Sequence, residues 1–511
     1  MPTTDTVSAS PPDGGESAAS ARGGAPVRLV GRLRRAAADV FWLWAPLLTL
    51  ALGLRGSGRP ELWRDELATW SAATRTTGQL FDMLQHVDAV SGTYYLLMHY
   101  WIAVVGDSAT MLRLPSALAM AGSAVFVTLT ARRLFDTRTA MIAGLLFAAV
   151  PSISRYAQEA RAYAFVVLAV SAATWLLLRA LERPTAGRWA LYTAAVAVAG
   201  LFHMVSLVVL CPHALFAFWE WRRTRDRRLL VGFPLSALVA LVPVVPLVFL
   251  GQRQVGRQIS WLKTPWLQTF VDYWHNLFGS ALVSGCILVL VAIPAGWPRL
   301  RRRAFEVFLL AGLPIVVTWV VSHGPSVYFF DRYQLYTVPA WCILAAAGLN
   351  SLRPKAIGAI GLAVVIAIGV PDQLKLRTSD AHETTDGRRA AALIAAGYRP
   401  GDAFAPTRGD DKWMMLDEEV RYYLPDSVDP GSVLINRTAV ERADIFAEPC
   451  SEPAACLHDA PRIWVVTMGG AEDPLVRFPE AEAAALRASY RVFEVRHVRG
   501  LTVGLLVRST G

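Results

Sequence analysis

Between residues 38 and 371 the chain is a succession of apolar blocks, most of them near the roughly 20 residues that cross a bilayer as a helix, parted by short turns. Alternate turns carry dense basic clusters: Arg132, Arg133 and Arg138; Arg179, Arg183 and Arg188; Arg222, Arg223, Arg225, Arg227 and Arg228; Arg299 with Arg301 to Arg303; Arg353 with Lys355. Eleven spans, at about 38–56, 109–131, 138–154, 162–181, 188–204, 205–221, 229–250, 280–297, 304–322, 333–351 and 355–371, put every cluster on one side. The positive-inside rule makes that side cytoplasmic, and an even number of spans breaks the alternation. The least marked boundary is His203, where two spans share one apolar run. Only 18% of the 511 residues are charged and 54% are hydrophobic, whereas a soluble domain carries about a quarter charged residues. The fold class is therefore mainly α and polytopic in a membrane. The net charge of +10 does not indicate a nucleic-acid partner, because the arginines sit where they set topology.

The ends differ from this pattern. Residues 1–37 are rich in Ser, Ala, Gly and Pro and read as a disordered cytoplasmic tail, with Arg32, Arg34 and Arg35 holding it inside. It is not a signal peptide, since acids come first and no apolar core follows directly. Residues 372–511 are polar, with helical stretches at Asp386–Ala396 and Pro479–Ser489 and strands at Ile463–Thr467, Arg491–Val495 and Thr502–Val507. After eleven spans this α/β domain is extracytoplasmic. Cys450 and Cys456 are its only cysteines, and a disulfide between them suits an exported compartment. Cys211, Cys286 and Cys342 fall in spans and read as small packing residues.

Polar residues gather at the outer ends of the spans. The first outer loop, 57–108, opens with ELWRDELATW, in which Asp65 and Glu66 lie between Trp63 and Trp70. Indole rings favour the membrane–water boundary, so the acids are expected where a lipid-borne substrate meets water. The same loop ends in YYLLMHYWIAVV, too short to span, which reads as a helix at the interface. SRYAQEARAY supplies Arg155, Glu159, Arg161 and Tyr163; the fifth span ends at His203; FDRYQLY supplies Asp331, Arg332 and Tyr333. Charged groups at membrane depth cost a few kcal/mol unless paired or wet, which makes them functional candidates. A loop salt bridge for Glu159 and Arg161, and a helix contact for His203, are the ordinary alternatives.

LWRDELATW, TYYLLMHYWIAVVGDSATMLRLPSALA, RYAQEARAYAFVVLAV and DRYQLYTVPA resemble, in that order, the integral-membrane glycosyltransferases of the GT-C fold. The resemblance covers about residues 40–350 and is to the protein-mannosyltransferase and aminoarabinose-transferase-like set. It implies a polyprenyl-phosphate-sugar donor, an extracytoplasmic active site and inversion at the anomeric carbon. Asp65 matches the family's catalytic aspartate, with Glu66 as its usual neighbour. The usual His-Pro-Pro before the paired tyrosines is absent; His86 and Asp88 stand in the corresponding stretch as acceptor-side substitutes. The C-terminal domain matches no family pattern.

The residues are consistent with that chemistry. A lipid-borne phosphate needs cationic partners, which Arg155, Arg161 and Arg332 offer beside Tyr163, His203 and Tyr333. A hydroxyl acceptor is a weak nucleophile and needs a carboxylate base. No DxD pair lies near Asp65, so neither a metal nor another cofactor is expected. The expectation is a multi-pass plasma-membrane glycosyltransferase moving mannose or another hexose or pentose to a protein, lipid or polysaccharide. A flippase or transporter is the rival reading, and calls for inverted repeats or for broken helices with polar groups at mid-membrane, whereas the polar groups here gather at one face; a non-catalytic envelope scaffold is the other.

Overall fold

The computed structural model describes residues 43–509. The expected tail (residues 1–37) and the start of the first span lie outside the described residues. The described chain is mainly helical. Five helices are long and apolar enough to cross a membrane unaided: Ala109–Leu134, Tyr163–Glu182, Met204–Thr224, Pro298–Val321 and Lys355–Lys375. Three bent pairs qualify jointly: Thr137–Ala149 with Pro151–Ala157, Arg227–Leu241 with Val245–Gln258, and Leu267–Phe278 with Ala281–Gly296. Trp44–Leu54, Ala186–Phe202 and Val338–Ser351 are shorter apolar helices in the places of the remaining expected spans. The protein is a multi-pass membrane protein.

The bends have local causes. Pro151 starts a new helix after Val150 and turns the chain by 62°; a proline is accepted at a first helical position but breaks a helix interior. The 97° bend at Gly279 needs φ +72, and a Cβ there would stand 2.8 Å from the Ser152 backbone nitrogen. Only glycine satisfies both demands.

One end of the bundle gathers basic turns. Arg133 pairs with Glu182, Asn350 donates to Asp136 at 2.9 Å, and Arg138 reaches the Lys355 carbonyl at 3.5 Å. The 26-residue helix Ala109–Leu134 separates that end from the opposite one by about 39 Å. At the opposite end lie three short helices, Arg64–Ala73, Thr77–His86 and Gly92–Val105. Thr76 starts the second with a reciprocal cap, accepting from the Gln79 amide while the Gln79 side chain accepts from its own. Gly92–Val105 is a helix where the sequence led one to expect it, and Tyr100 and Val104 on it are exposed.

The C-terminal α/β region is a five-stranded sheet of order β2-β1-β5-β7-β6, formed by β1 (Ala403–Pro406), β2 (Gly431–Ser432), β5 (Arg462–Met468), β6 (Tyr490–Val498) and β7 (Leu501–Arg508). Strands β2, β1 and β5 are parallel, and β7 and β6 close the sheet antiparallel. β3 (Ile435–Arg437) and β4 (Glu448–Pro449) form a separate pair. Phe404, Trp464 and Val466 pack one face against Ile394 and Val420, while Ala405, Ile463 and Val465 pack the other against Leu486. Burial on both faces explains why β5 reads RIWVVTM, an apolar run rather than an alternation. Cys450 and Cys456 are disulfide-bonded, their Cα atoms 6.4 Å apart.

This region is docked on the 57–108 segment and on the Val245–Gln258 helix. Tyr423 Oη accepts from the Leu62 amide at 2.9 Å, Tyr422 Oη donates to the Asp107 carbonyl at 2.9 Å, and Arg257 pairs with Asp444 at 2.8 Å. Trp70 stacks edge-on against Tyr422 at 5.3 Å, and Trp63 is buried. Both indoles thus make packing contacts within the protein, Trp70 also donating to Asp107 at 2.8 Å, and two of their partners, Arg332 over Trp63 and Tyr422 against Trp70, lie far away in sequence.

Candidate active site

Trp63 holds an extended conformation and the chain turns helical at Arg64, which places Asp65 and Glu66 in the first helical turn. Acids there are favoured by the unsatisfied amides and the positive end of the helix dipole. Successive helical residues point about 100° apart, and the two carboxylates have opposite fates.

Asp65 opens onto a cavity of about 810 Å³ at the end of the bundle opposite the basic turns. Asp88, Arg161, Tyr163, His203, Arg332 and Tyr333 line the same cavity. Four parts of the chain, at 65–88, 161–163, 203 and 332–333, meet here. Arg332 Nη1 is 3.6 Å from Asp65 Oδ2, and Arg161 donates to the Asp65 carbonyl at 3.3 Å and to Tyr95 Oη at 3.1 Å. Arg332 also lies 5.4 Å from the Trp63 ring and 5.8 Å from that of Tyr163, within cation–π range. Its sequence neighbour Asp331 is partly buried with Oδ1 enclosed, and the loss of water raises that carboxyl above the usual range despite the backbone and guanidinium of Arg332. The His203 ring packs 4.5 Å from Tyr333, and Tyr163 stacks on Tyr333 at 6.3 Å. Asp88, in a left-handed conformation at φ 60, accepts from Tyr95 and, at 3.2 Å, from Gln258.

Four of the sequence candidates, Glu66, Arg155, Glu159 and His86, do not line the cavity. Glu66 is fully buried and takes both oxygens to Arg113, at 2.8 Å and 2.6 Å, with the Ala160 amide donating at 2.8 Å. Burial favours its neutral form, but the Arg113 guanidinium outweighs this and holds the carboxyl well below the usual range. Its place is in a buried clasp joining the first loop, the start of the Ala109–Leu134 helix and the 158–162 turn. Arg155 does not line the cavity; it approaches Glu159 at 3.9 Å and the Ala381 carbonyl at 3.4 Å. Glu159 is buried without a hydrogen-bond partner among the described residues, and burial pushes its carboxyl up to about 7 despite Arg155. His86 is exposed, with Nδ1 2.9 Å from the Asp82 carbonyl, and points away from the cavity.

Several cavity residues carry no sequence signal. Arg64 is one, although it adjoins Asp65 in ELWRDELATW. Trp261 and Gln258 come from the 251–279 loop, and Lys412, Trp413, Met415, Ile445 and Phe446 from the C-terminal region. Among the described residues, no group of three His, Cys, Asp or Glu side chains is placed to hold a metal ion. Chemically, the cavity offers the Asp65 and Asp88 carboxylates beside the guanidinium groups of Arg64, Arg161, Arg257 and Arg332, over an aromatic floor.

Residues 92–249 match the family of dolichyl-phosphate-mannose-protein mannosyltransferases. No curated protein matches the sequence. The chain superposes on ArnT from Cupriavidus metallidurans in the apo state, with TM-score 0.60, 16% identity, and 92% of this chain and 98% of that one covered. The undecaprenyl-phosphate-bound form of that protein gives TM-score 0.59 at 16% identity over 91% and 97% of the two chains. The archaeal oligosaccharyltransferase AglB from Archaeoglobus fulgidus, in complex with an inhibitory peptide and a dolichol-phosphate, gives 0.51 at 10% identity over 93% and 75%. The arabinofuranosyltransferase AftD from Mycobacteria gives 0.51 at 13% identity, over 92% of this chain and 40% of that one. These likenesses establish the GT-C fold. The similarity is to membrane glycosyltransferases of the protein-mannosyltransferase and ArnT type.

Proposed function

We propose that this chain transfers a sugar from a polyprenyl-phosphate carrier to a hydroxyl acceptor on the extracytoplasmic side, with inversion and with Asp65 as general base. The carrying observation is the Asp65 carboxylate on the wall of a cavity that also presents Arg161 and Arg332. Solved relatives of this fold hold undecaprenyl phosphate or dolichol-phosphate, the chemistry for which two guanidinium groups at a lipid boundary are suited. In the reaction, the acceptor oxygen attacks the anomeric carbon as its proton passes to Asp65. The bond from that carbon to the phosphate oxygen breaks with its electron pair, leaving polyprenyl phosphate neutralised by the arginines. Without donor, Arg332 rests against Asp65; a bound phosphate competes for that guanidinium and releases the carboxylate as a base. The sugar is mannose or another hexose or pentose, and the acceptor is a protein, lipid or polysaccharide of the envelope.

The test is release of polyprenyl phosphate by the purified full-length chain from polyprenyl-phosphate hexose and pentose donors, with envelope extract as acceptor. Release from at least one donor is expected; none from any sinks the reading. Arg161→Met and Arg332→Met remove hydrogen bonds to a charged group worth about 1.5–3 kcal/mol each. Polyprenyl-phosphate binding is therefore expected to weaken about 10- to 100-fold in each variant, measured by titration in detergent. Unchanged affinity in both removes the phosphate from this site.

The orientation has its own measurement. Basic turns at one bundle end and the cavity at the other support a cavity and C-terminal domain outside the plasma membrane. Periplasm-active reporters fused after Ser379 should be active and cytoplasm-active ones silent. The reverse pattern inverts the topology.

A further inference from the structure

Beside the main cavity lies a second one, of about 350 Å³, within the size range of small-ligand sites. It sits at the carboxyl ends of the parallel strands β1 and β2, where open α/β sheets bind ligands. Thr407, the residue after β1, lines it with a buried hydroxyl that has no hydrogen-bond partner among the described residues. Its charged lining consists of Arg257, Arg408, Lys412, Arg421 and Arg442 against Asp417, Glu418 and Asp444, a difference of two positive charges. Arg408 is neutralised by Asp417 at 2.7 Å, while Arg257 and Arg442 share Asp444 at 2.8 and 3.5 Å. Arg421 donates to the Ser432 hydroxyl, and the Lys412 ammonium lies 5.5 Å from the centroid of the Trp413 ring. Lys412 and Arg421 are the lining cations outside any ion pair among the described residues and Glu418 is the acid outside one, so the pocket keeps a positive excess beside the unpartnered Thr407 hydroxyl in its wall, an arrangement that asks for an anion carrying hydroxyl groups.

The two cavities are not separate rooms. Arg257, Lys412, Met415, Ile445 and Phe446 form walls of both. The exposed Trp413 ring, with Phe446 edge-on at 5.1 Å, offers a flat apolar face on the main-cavity side of this boundary. Sugars present such a C–H face opposite their hydroxyls, whereas an extended peptide has none. A ligand seated among Lys412, Arg421 and Thr407 can thus extend past Trp413 toward Asp65.

We propose that this pocket is the acceptor subsite, and that the acceptor is a sugar bearing a phosphate or carboxylate group. The inference rests on the transferase reading above and specifies its acceptor. The anionic group binds in the C-terminal domain while a hydroxyl of the same glycan reaches the base, so the domain selects what is glycosylated.

The experiment uses the full-length chain in detergent, with glucose 6-phosphate, glucuronate and glucose as probes observed by saturation-transfer NMR. The two charged sugars are expected to bind at millimolar concentration and glucose at least tenfold more weakly. Arg421 is exposed and outside the main cavity, so Arg421→Glu leaves folding and polyprenyl-phosphate binding intact while weakening the charged probes at least tenfold. Three results overturn the proposal: equal binding of glucose and its charged relatives, charged-sugar binding untouched by Arg421→Glu, or preferential binding of an acidic peptide competing with glucose 6-phosphate. Loss of polyprenyl-phosphate binding by the wild-type chain is a separate outcome and strikes the donor assignment instead.

Discussion

Asp65→Asn should lower sugar-transfer turnover by about 10²–10⁴-fold, the contribution of a positioned general base, with donor binding largely kept. The substitution preserves shape and leaves an amide oxygen facing Arg332 in place of the carboxylate oxygen now 3.6 Å from it. It removes only the ability to take a proton. The arginine variants make the opposite kind of change, since they weaken the hold on phosphate and leave the base in place. A split into lost turnover at Asp65 and lost affinity at Arg161 and Arg332 is what distinguishes base from phosphate site. Turnover within about threefold of the parent chain would remove Asp65 from that role. The assay is single-turnover release of polyprenyl phosphate by folded variants at saturating donor, so that a binding defect is not mistaken for a chemical one.

Much of this site was legible because it hangs from span ends. Hydropathy marks where a chain leaves the membrane, and Asp65, Arg161, His203 and Arg332 all stand at such exits. Residues that leave a bilayer on one side of a compact bundle have little choice but to converge. Hydropathy does not say which way a side chain points. Asp65 and Glu66 are adjacent, yet one faces the cavity and the other is sealed against Arg113, a partner 47 residues away. That arginine stands inside an otherwise apolar helix, MLRLPSALA, and a lone cation there was the available signal. His86 and Asp88 show the same limit over two residues: the left-handed turn at Asp88 sends one side chain to solvent and the other to the cavity. Contributions from Lys412 to Phe446 had no such signal. They depend on how the C-terminal α/β region docks, through Tyr422, Tyr423 and Asp444, and no local periodicity encodes that.

Glu66 carries the other large effect, and it falls on folding. Its ion pair with Arg113 is closed from water on both sides, with the side chains 0% and 1% exposed. Removing one member of a buried pair strands the other charge and costs about 3–5 kcal/mol, a large part of a typical folding free energy. Glu66→Gln and Arg113→Met should therefore each lower the thermal unfolding midpoint markedly, followed by fluorescence-detected size exclusion. The double variant Glu66→Met with Arg113→Met leaves no stranded charge and should lose less than the sum of the single changes. Acid adds a sign. The folded Glu66 carboxyl lies below its usual value of 4.5, so its stabilisation is complete above about pH 4.5 and drains away as pH falls toward the folded pKa. His382, 3.5 Å away and lowered to about 4 chiefly by burial, works in the same direction, because a histidine kept neutral by folding destabilises the fold as it is forced to protonate below its ordinary value of 6.5. The parent chain should thus lose stability on acidification more steeply than Glu66→Gln, which has no carboxylate there to titrate. If Glu66→Gln instead unfolds like the parent at pH 7 while turnover collapses as far as in Asp65→Asn, Glu66 belongs to the chemistry and the clasp does not hold the loop.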